Sequence, residues 1–138
     1  MKFKYRQLSL QVPFSGKGYL HRPIIPVSLK NKALSLRYEA LIDSGADFCI
    51  FPTEIARKLK INLNKSKQIY FSGTTGELVK GVIGDVNLDI GEGGFKIKVV
   101  FADLAGNVGI LGQYGFFDKF IVKFDMIKKE IELNLRIR

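Results

Sequence analysis

The chain predicts an all-β fold, mainly β with one or two short helices, closed into a barrel or folded as a sandwich. Three observations carry this. Eleven Phe and five Tyr stand beside abundant Ile, Val and Leu with no Trp, and such side chains suit a pleated, half-buried surface. Apolar and polar residues alternate with period two in several segments. Gly, Pro, Asn and Asp interrupt those segments at short intervals, which is the punctuation of turns.

Taken in order, Leu8, Leu10 and Val12 alternate with Ser9 and Gln11 as a strand with one buried face, and residues 13–18 follow as a loop. A second strand runs from Ile24 to Leu29, and Pro23 and Pro26 place it at an edge. Asn31-Lys32 turns it into a third, Ala33 to Ile42. Residues 52–59 read as one short helix, with Pro52 and Glu54 in the first turn and Arg57 and Lys58 near the end. Gln68 to Phe71 and Leu78 to Val82 form two strands around a polar, glycine-bounded tip, residues 72–76. The clearest hairpin joins Val86, Leu88 and Ile90 to Phe95, Ile97 and Val99 through the turn 91–94. After the loop 102–107 come the apolar segment 108–112, a helical turn over 116–120 and a strand over 121–124. The last strand sets Ile131, Leu133, Leu135 and Ile137 on one face against Glu130, Glu132, Asn134, Arg136 and Arg138 on the other. With 138 residues, 46% hydrophobic, and no internal repeat, one domain over 1–138 is expected.

Composition also removes function classes. The net charge of +9 raises attraction to nucleic acid, yet the densest basic group, Arg57, Lys58, Lys60, Lys65 and Lys67, has no interleaved aromatic residue on which bases would stack. No specific nucleic-acid partner is expected. A single cysteine, Cys49, within the apolar run Phe48 to Phe51, forbids an intrachain disulfide and reads as a buried, inert thiol in a reducing compartment. No apolar stretch approaches the roughly 18 residues that span a bilayer, so a chain without a membrane segment, located in the cytoplasm, is the expectation.

His21, beside Arg22 and Pro23, is the one histidine, so a zinc site of His/Cys composition is not expected, nor is any other metal or cofactor. Nucleophile-elbow, P-loop and dinucleotide signatures are absent. Carboxylate chemistry remains. Asp43 stands apart because it follows the apolar strand end Ala40-Leu41-Ile42 and precedes Ser44-Gly45-Ala46, small residues that let a ligand approach the backbone. An Asp-Ser-Gly turn of purely structural meaning has the same appearance.

The wider run Leu41-Ile42-Asp43-Ser44-Gly45-Ala46-Asp47 resembles the hydrophobic-hydrophobic-Asp-Thr/Ser-Gly-Ala-Asp motif of retropepsins, the retroviral type of aspartic protease. Ile110-Leu111-Gly112 resembles the family's hydrophobic-hydrophobic-Gly element that packs beneath the catalytic loop. It is followed, as in microbial relatives, by an aromatic segment, residues 116–120. Between the two lies the hairpin tip Ser72, Gly73, Thr74, Thr75 and Gly76, where the family has its flap. The resemblance implies a closed retropepsin-like barrel, half of an acid protease, with Asp43 as the catalytic acid and Ser44, Gly45 and Ala46 supporting its loop. It implies Gly45, Asp47 and the flap residues as contacts to a peptide or unfolded protein substrate, and no cofactor. Two departures bear on detail. Ser44 replaces the commoner threonine but keeps the hydroxyl for a hydrogen bond across the dimer axis, and Gln113 stands where retroviral enzymes carry an arginine that pairs with the acid matching Asp47. Asp47 must then find another partner or stay solvated.

The expected activity is endopeptidase action through water. It needs two carboxylates sharing one proton, and one motif per chain supplies half of that, so a homodimer with Asp43 against its own copy is implied. The C-terminal strand either pairs across such an interface or completes the barrel within one subunit. A non-catalytic dimerisation or peptide-binding module on the same fold is the alternative reading, and a basic nucleic-acid-binding barrel is the third.

Overall fold

The computed structural model describes residues 1–14, 16–63, 67–73, 75–91, 93–103 and 106–136, with the side chains of 12–14 and 17 left aside. Twelve strands and one helix are assigned among them: β1 (Lys2–Lys4), β2 (Arg6–Phe14), β3 (Lys17–Arg22), β4 (Ile24–Asn31), β5 (Leu34–Ile42), β6 (Ile50–Phe51), α1 (Thr53–Lys58), β7 (Gln68–Ser72), β8 (Leu78–Ile90), β9 (Gly93–Phe101), β10 (Gly109–Leu111), β11 (Phe120–Asp125) and β12 (Glu130–Leu135).

The main sheet runs β4-β5-β10-β6-β9-β8-β7, and β8 also pairs with β4 through Ser28↔Asp89, Leu29↔Leu88 and Lys30↔Asn87. Six strands therefore close into a barrel, which removes free edges from that ring. Ile25, Val27, Leu29, Ile42, Phe51, Leu88, Phe101, Leu111 and Phe116 fill it and are almost wholly buried, with Ile55 and Ala56 of α1 and Leu59 at its C-cap sealing one side. Burial of each such Leu, Ile or Phe contributes about 1.5–3 kcal/mol.

Several sequence expectations are corrected here. Most of the expected loop 13–18 belongs to a hairpin: β2 continues to Phe14, β3 begins at Lys17, Leu8 pairs with Leu20, and Ser15 lies outside the described residues. His21 accordingly lies on a strand, edge-on to Tyr19 at 5.4 Å. The charged start of the chain holds a strand, since β1 pairs antiparallel with β12. The two expected strands 78–82 and 86–90 are one strand of thirteen residues. Gly81 and Gly84 obscured that continuity, and both serve close packing: a Cβ would lie 2.4 Å from Val100 at the first and 2.9 Å from the Phe101 ring at the second. Pro52 occupies the N-cap of α1, just outside the first turn. β4 is an edge only in its first half. Pro26 lies before the stretch that pairs with β8, so its missing N–H interrupts no ladder there.

The C-terminal strand forms a separate three-stranded sheet, β1-β12-β11, within the chain. β12 is its centre. Ile131 and Leu133 are buried as the alternation requires, but Leu135 is 55% exposed, and Ile137 lies outside the described residues. The expected helical turn over 116–120 exists as a single turn, closed by Phe120 N donating to the Phe116 carbonyl at 3.0 Å.

Candidate active site

Asp43 is the first residue after β5, and its backbone N–H donates to the Leu111 carbonyl at 3.0 Å. That bond continues the parallel pairing of β5 with β10, in which Ala40, Leu41 and Ile42 face Gly109, Ile110 and Leu111. The apolar residues on both strands cause this, because the ends of two buried strands bring the following polar residues to the barrel's rim. Ala46 N donates to the Asp43 carbonyl at 3.2 Å and closes a turn, while Gly45 N donates to Asp43 Oδ1 at 3.0 Å. The carboxylate thus folds back over its own loop, as Asp side chains do in such turns.

Residues 112–114 secure the far side of the loop. Gln113 N donates to the Ala46 carbonyl at 2.9 Å, and Tyr114 N to the Asp47 carbonyl at 2.8 Å. The Gln113 side-chain amide donates to the Ser44 carbonyl at 2.7 Å. Phe48 forms a parallel bridge with Tyr114, their rings 6.3 Å apart. Gly112 is pressed against the loop backbone, where a Cβ would lie 2.3 Å from the Phe48 carbonyl oxygen and 2.7 Å from that of Ala46. Cys49 is fully buried behind the loop with Sγ directed at the Tyr114 carbonyl, and burial pushes its thiol up to about 11.

The structure therefore brings together Asp43, Ser44, Gly45, Ala46 and Asp47 with Ile110, Leu111 and Gly112. Asp43 is partly exposed, and Ser44, Gly45 and Asp47 are exposed. Asp47 has no hydrogen bond or ion pair from its side chain among the described residues, so of the two outcomes open to it the solvated one holds. Beside it, Asp47, Gln113, Tyr114, Phe117 and Asp118 line a depression of about 330 Å³.

The hairpin of β7 and β8 ends in a turn where Gly73 N donates to the Glu77 carbonyl at 2.9 Å and Gly76 N to the Gly73 carbonyl at 3.0 Å. Ser72, Thr75 and Gly76 are exposed, Gly73 is half-buried, and Thr74 lies outside the described residues. No bond joins this tip to Asp43 among the described residues; the hairpin's base makes the connection. Ile69, Phe71 and Val79 pack into a second apolar cluster with Phe48, Ile50 and Ile110, residues that flank the loop on both sides. Sequence reasoning passed over Phe48 and Tyr114 and saw in Gln113 only a missing arginine; a side-chain amide bonded to a carbonyl leaves no periodic trace.

No His/Cys/Asp/Glu cluster suited to a metal occurs among the described residues, and no helix there is long and apolar enough to cross a membrane. No curated protein sequence matches the chain significantly. Among solved structures it is similar to EIAV protease in complex with the inhibitor HBY-793, at 23% identity and a TM-score of 0.54 over 74% of this chain and 88% of that one. A retropepsin-like aspartic protease from Rickettsia conorii is similar at 22% identity and a TM-score of 0.55, over 81% of each chain. Both likenesses concern the fold and agree with the closed barrel. Residues 25–114, which contain both β5 with its Asp43 loop and β10 with Gly112, match the family model described as aspartyl protease, and the chain accordingly belongs to that family of aspartic-type endopeptidases, on a retropepsin-like fold.

Proposed function

We propose that two copies of this chain meet at a two-fold axis, set Asp43 beside its counterpart and hydrolyse peptide bonds. The observation that carries this reading is the state of Asp43: one carboxylate oxygen is tethered by Gly45 N, the group is partly open to solvent, and its loop is fixed from behind by Leu111, Gln113 and Tyr114. A lone carboxylate there is half of a device. Two of them about 3 Å apart hold one proton between them, because both do not ionise together. The ionised one takes a proton from water as the oxygen attacks the scissile carbonyl carbon. The protonated one hydrogen-bonds to the carbonyl oxygen and passes its proton there. When the tetrahedral intermediate breaks its C–N bond, a proton returned to nitrogen lets the amine leave.

Support for the partner comes from the second sheet. Among the described residues β12 has both edges occupied inside its own chain, which leaves the outer edges of β1 and of β11, the latter with Ile121 and Phe124 exposed, to meet another copy. The substrate is a peptide or unfolded segment in extended form, held by Gly45 and Asp47 on one side and by Ser72, Gly73, Thr75 and Gly76 of the hairpin tip on the other. Ser44 reaches across the axis with its hydroxyl. A reducing, cytoplasmic setting suits a chain whose one cysteine is buried and unpaired.

The test is the variant Asp43→Asn, which keeps the volume of the side chain and cannot exchange the proton. Hydrolysis of unfolded casein should disappear while circular dichroism stays that of the wild type. Cleavage by clean Asp43→Asn protein refutes the assignment, and peptide binding with no cleavage by either form gives the non-catalytic module.

A further inference from the structure

We infer that Gln113 is a positioning residue for the Asp43 carboxylate, acting through the Ser44–Gly45 peptide; the inference rests on the reading of Asp43 as the reacting acid. The bonds form a chain. The Gln113 amide nitrogen donates to the Ser44 carbonyl at 2.7 Å, and the N–H on the other side of that same peptide bond, belonging to Gly45, donates to Asp43 Oδ1 at 3.0 Å. A trans peptide is a rigid plane with C=O and N–H pointing in opposite directions. Fixing the oxygen from one side therefore aims the hydrogen at the carboxylate on the other. The two bonds also polarise one another, so that the second is stronger while the first is in place.

This peptide needs outside support. Ser44 and Gly45 are both exposed, and glycine offers little resistance to rotation of the plane that precedes it. Water competing for the Ser44 carbonyl would leave the Gly45 N–H free to swing away. Gln113 can serve as the brace because its own backbone is held at both ends: its N–H donates to Ala46 at 2.9 Å, and its carbonyl accepts from Asp118 N at 3.1 Å. The side chain thus reaches from a fixed point. It also carries no charge, so it stabilises the loop without forming an ion pair with Asp47, which stays available for other contacts. An amide here performs a task that has no counterpart in the expected pairing of an arginine with Asp47.

Three variants of the full-length protein test this. Gln113→Met keeps the length and loses the donor, Gln113→Glu keeps the shape and loses the donor at neutral pH, and Gln113→Lys restores one. Each is assayed for kcat and KM on one peptide, and for the proton chemical shift of the Gly45 amide, which its bond to a carboxylate moves downfield. In Gln113→Met, kcat should fall about threefold to tenfold, the equivalent of one such bond, with KM unchanged and the Gly45 amide moved upfield. Gln113→Lys should recover most of both. A Gly45 amide that stays in place in both donor-less variants overturns the inference, as does a KM that rises while kcat holds, which would make Gln113 a substrate contact. If Gln113→Met does not fold, Gln113→Glu supplies the same two readouts. If the wild type cleaves nothing, the protease reading fails, yet the amide shift still decides whether Gln113 aims Gly45 at Asp43.

Discussion

Replacing Gly112 with alanine should damage activity far more than stability, and the geometry sets the size of the effect. The added Cβ would sit 2.3 Å from the Phe48 carbonyl oxygen and 2.7 Å from the Ala46 carbonyl oxygen, where ordinary contact begins at 3.4 Å. Both obstacles are backbone, so no side chain can rotate aside. The loop from Asp43 to Phe48 must retreat from β10 by about 1 Å, and a misplacement of that size costs on the order of 10²-fold in rate. Overpacking of this kind destabilises by about 1–3 kcal/mol, which a barrel with so continuous a core should survive. Gly18→Ala is the control, because nothing lies within 4 Å of a Cβ at that exposed position. Steady-state kinetics on a fluorogenic peptide give kcat/KM, and urea unfolding of the same samples gives stability. A Gly112→Ala enzyme within threefold of wild type would show that the seating of the loop on β10 does not govern the chemistry.

Activity should rise with the square of protein concentration below the dimer dissociation constant, and excess Asp43→Asn chains should silence wild-type chains after exchange; full activity from a protein proven monomeric by ultracentrifugation would end the shared-dyad account. Cys49 should make the fold alkali-sensitive. Its thiol is held near 11 against an ordinary value of about 9, so between those limits the unfolded chain loses a proton that the folded chain keeps, and stability falls as pH rises, by about 1.4 kcal/mol per pH unit. Urea titrations of wild type and Cys49→Ala across pH 8 to about 11 should diverge in that window, and parallel curves would refute the assignment. The turn at Gly73 and Gly76 should exchange its amide hydrogens quickly in the free protein and slowly with a bound peptide-like inhibitor; equal rates would remove the hairpin from the mechanism.

Much of this was legible in the sequence. The alternation in Val86–Ile90 and Phe95–Val99 produced the hairpin seen between β8 and β9. The apolar run into Asp43 and the separate run at Ile110–Gly112 produced the two halves of the site. What periodicity could not supply was their adjacency, because parallel pairing of β5 with β10 is a property of the closed barrel and not of either segment. The resemblance to retropepsins supplied that instead. β3 escaped because Lys17-Gly18-Tyr19-Leu20-His21-Arg22 has no apolar face of its own; it is a strand because Leu8, Ser9 and Gln7 of β2 lie across from it. Leu135 shows the reverse failure: a flawless alternation continued past the edge of what the core could cover. The bond from Gln113 to Ser44 was invisible because its meaning depends on where two distant loops meet.

That distance has a consequence in time. Ser44 and Gln113 are 69 positions apart, and every backbone bond that holds the rear of the loop comes from Leu111 or beyond. During synthesis at about 5–20 residues per second, a nascent chain carries Asp43 for several seconds before the residues that seat it exist. Parallel pairing across such a span is also slow to form once they do, since the intervening loop must be closed before any contact rewards it. The emerging segment therefore holds the complete acid motif with no competent loop. A chain released before residue 111 would display the family's signature and never acquire its geometry, so the onset of function is tied to completion of the barrel.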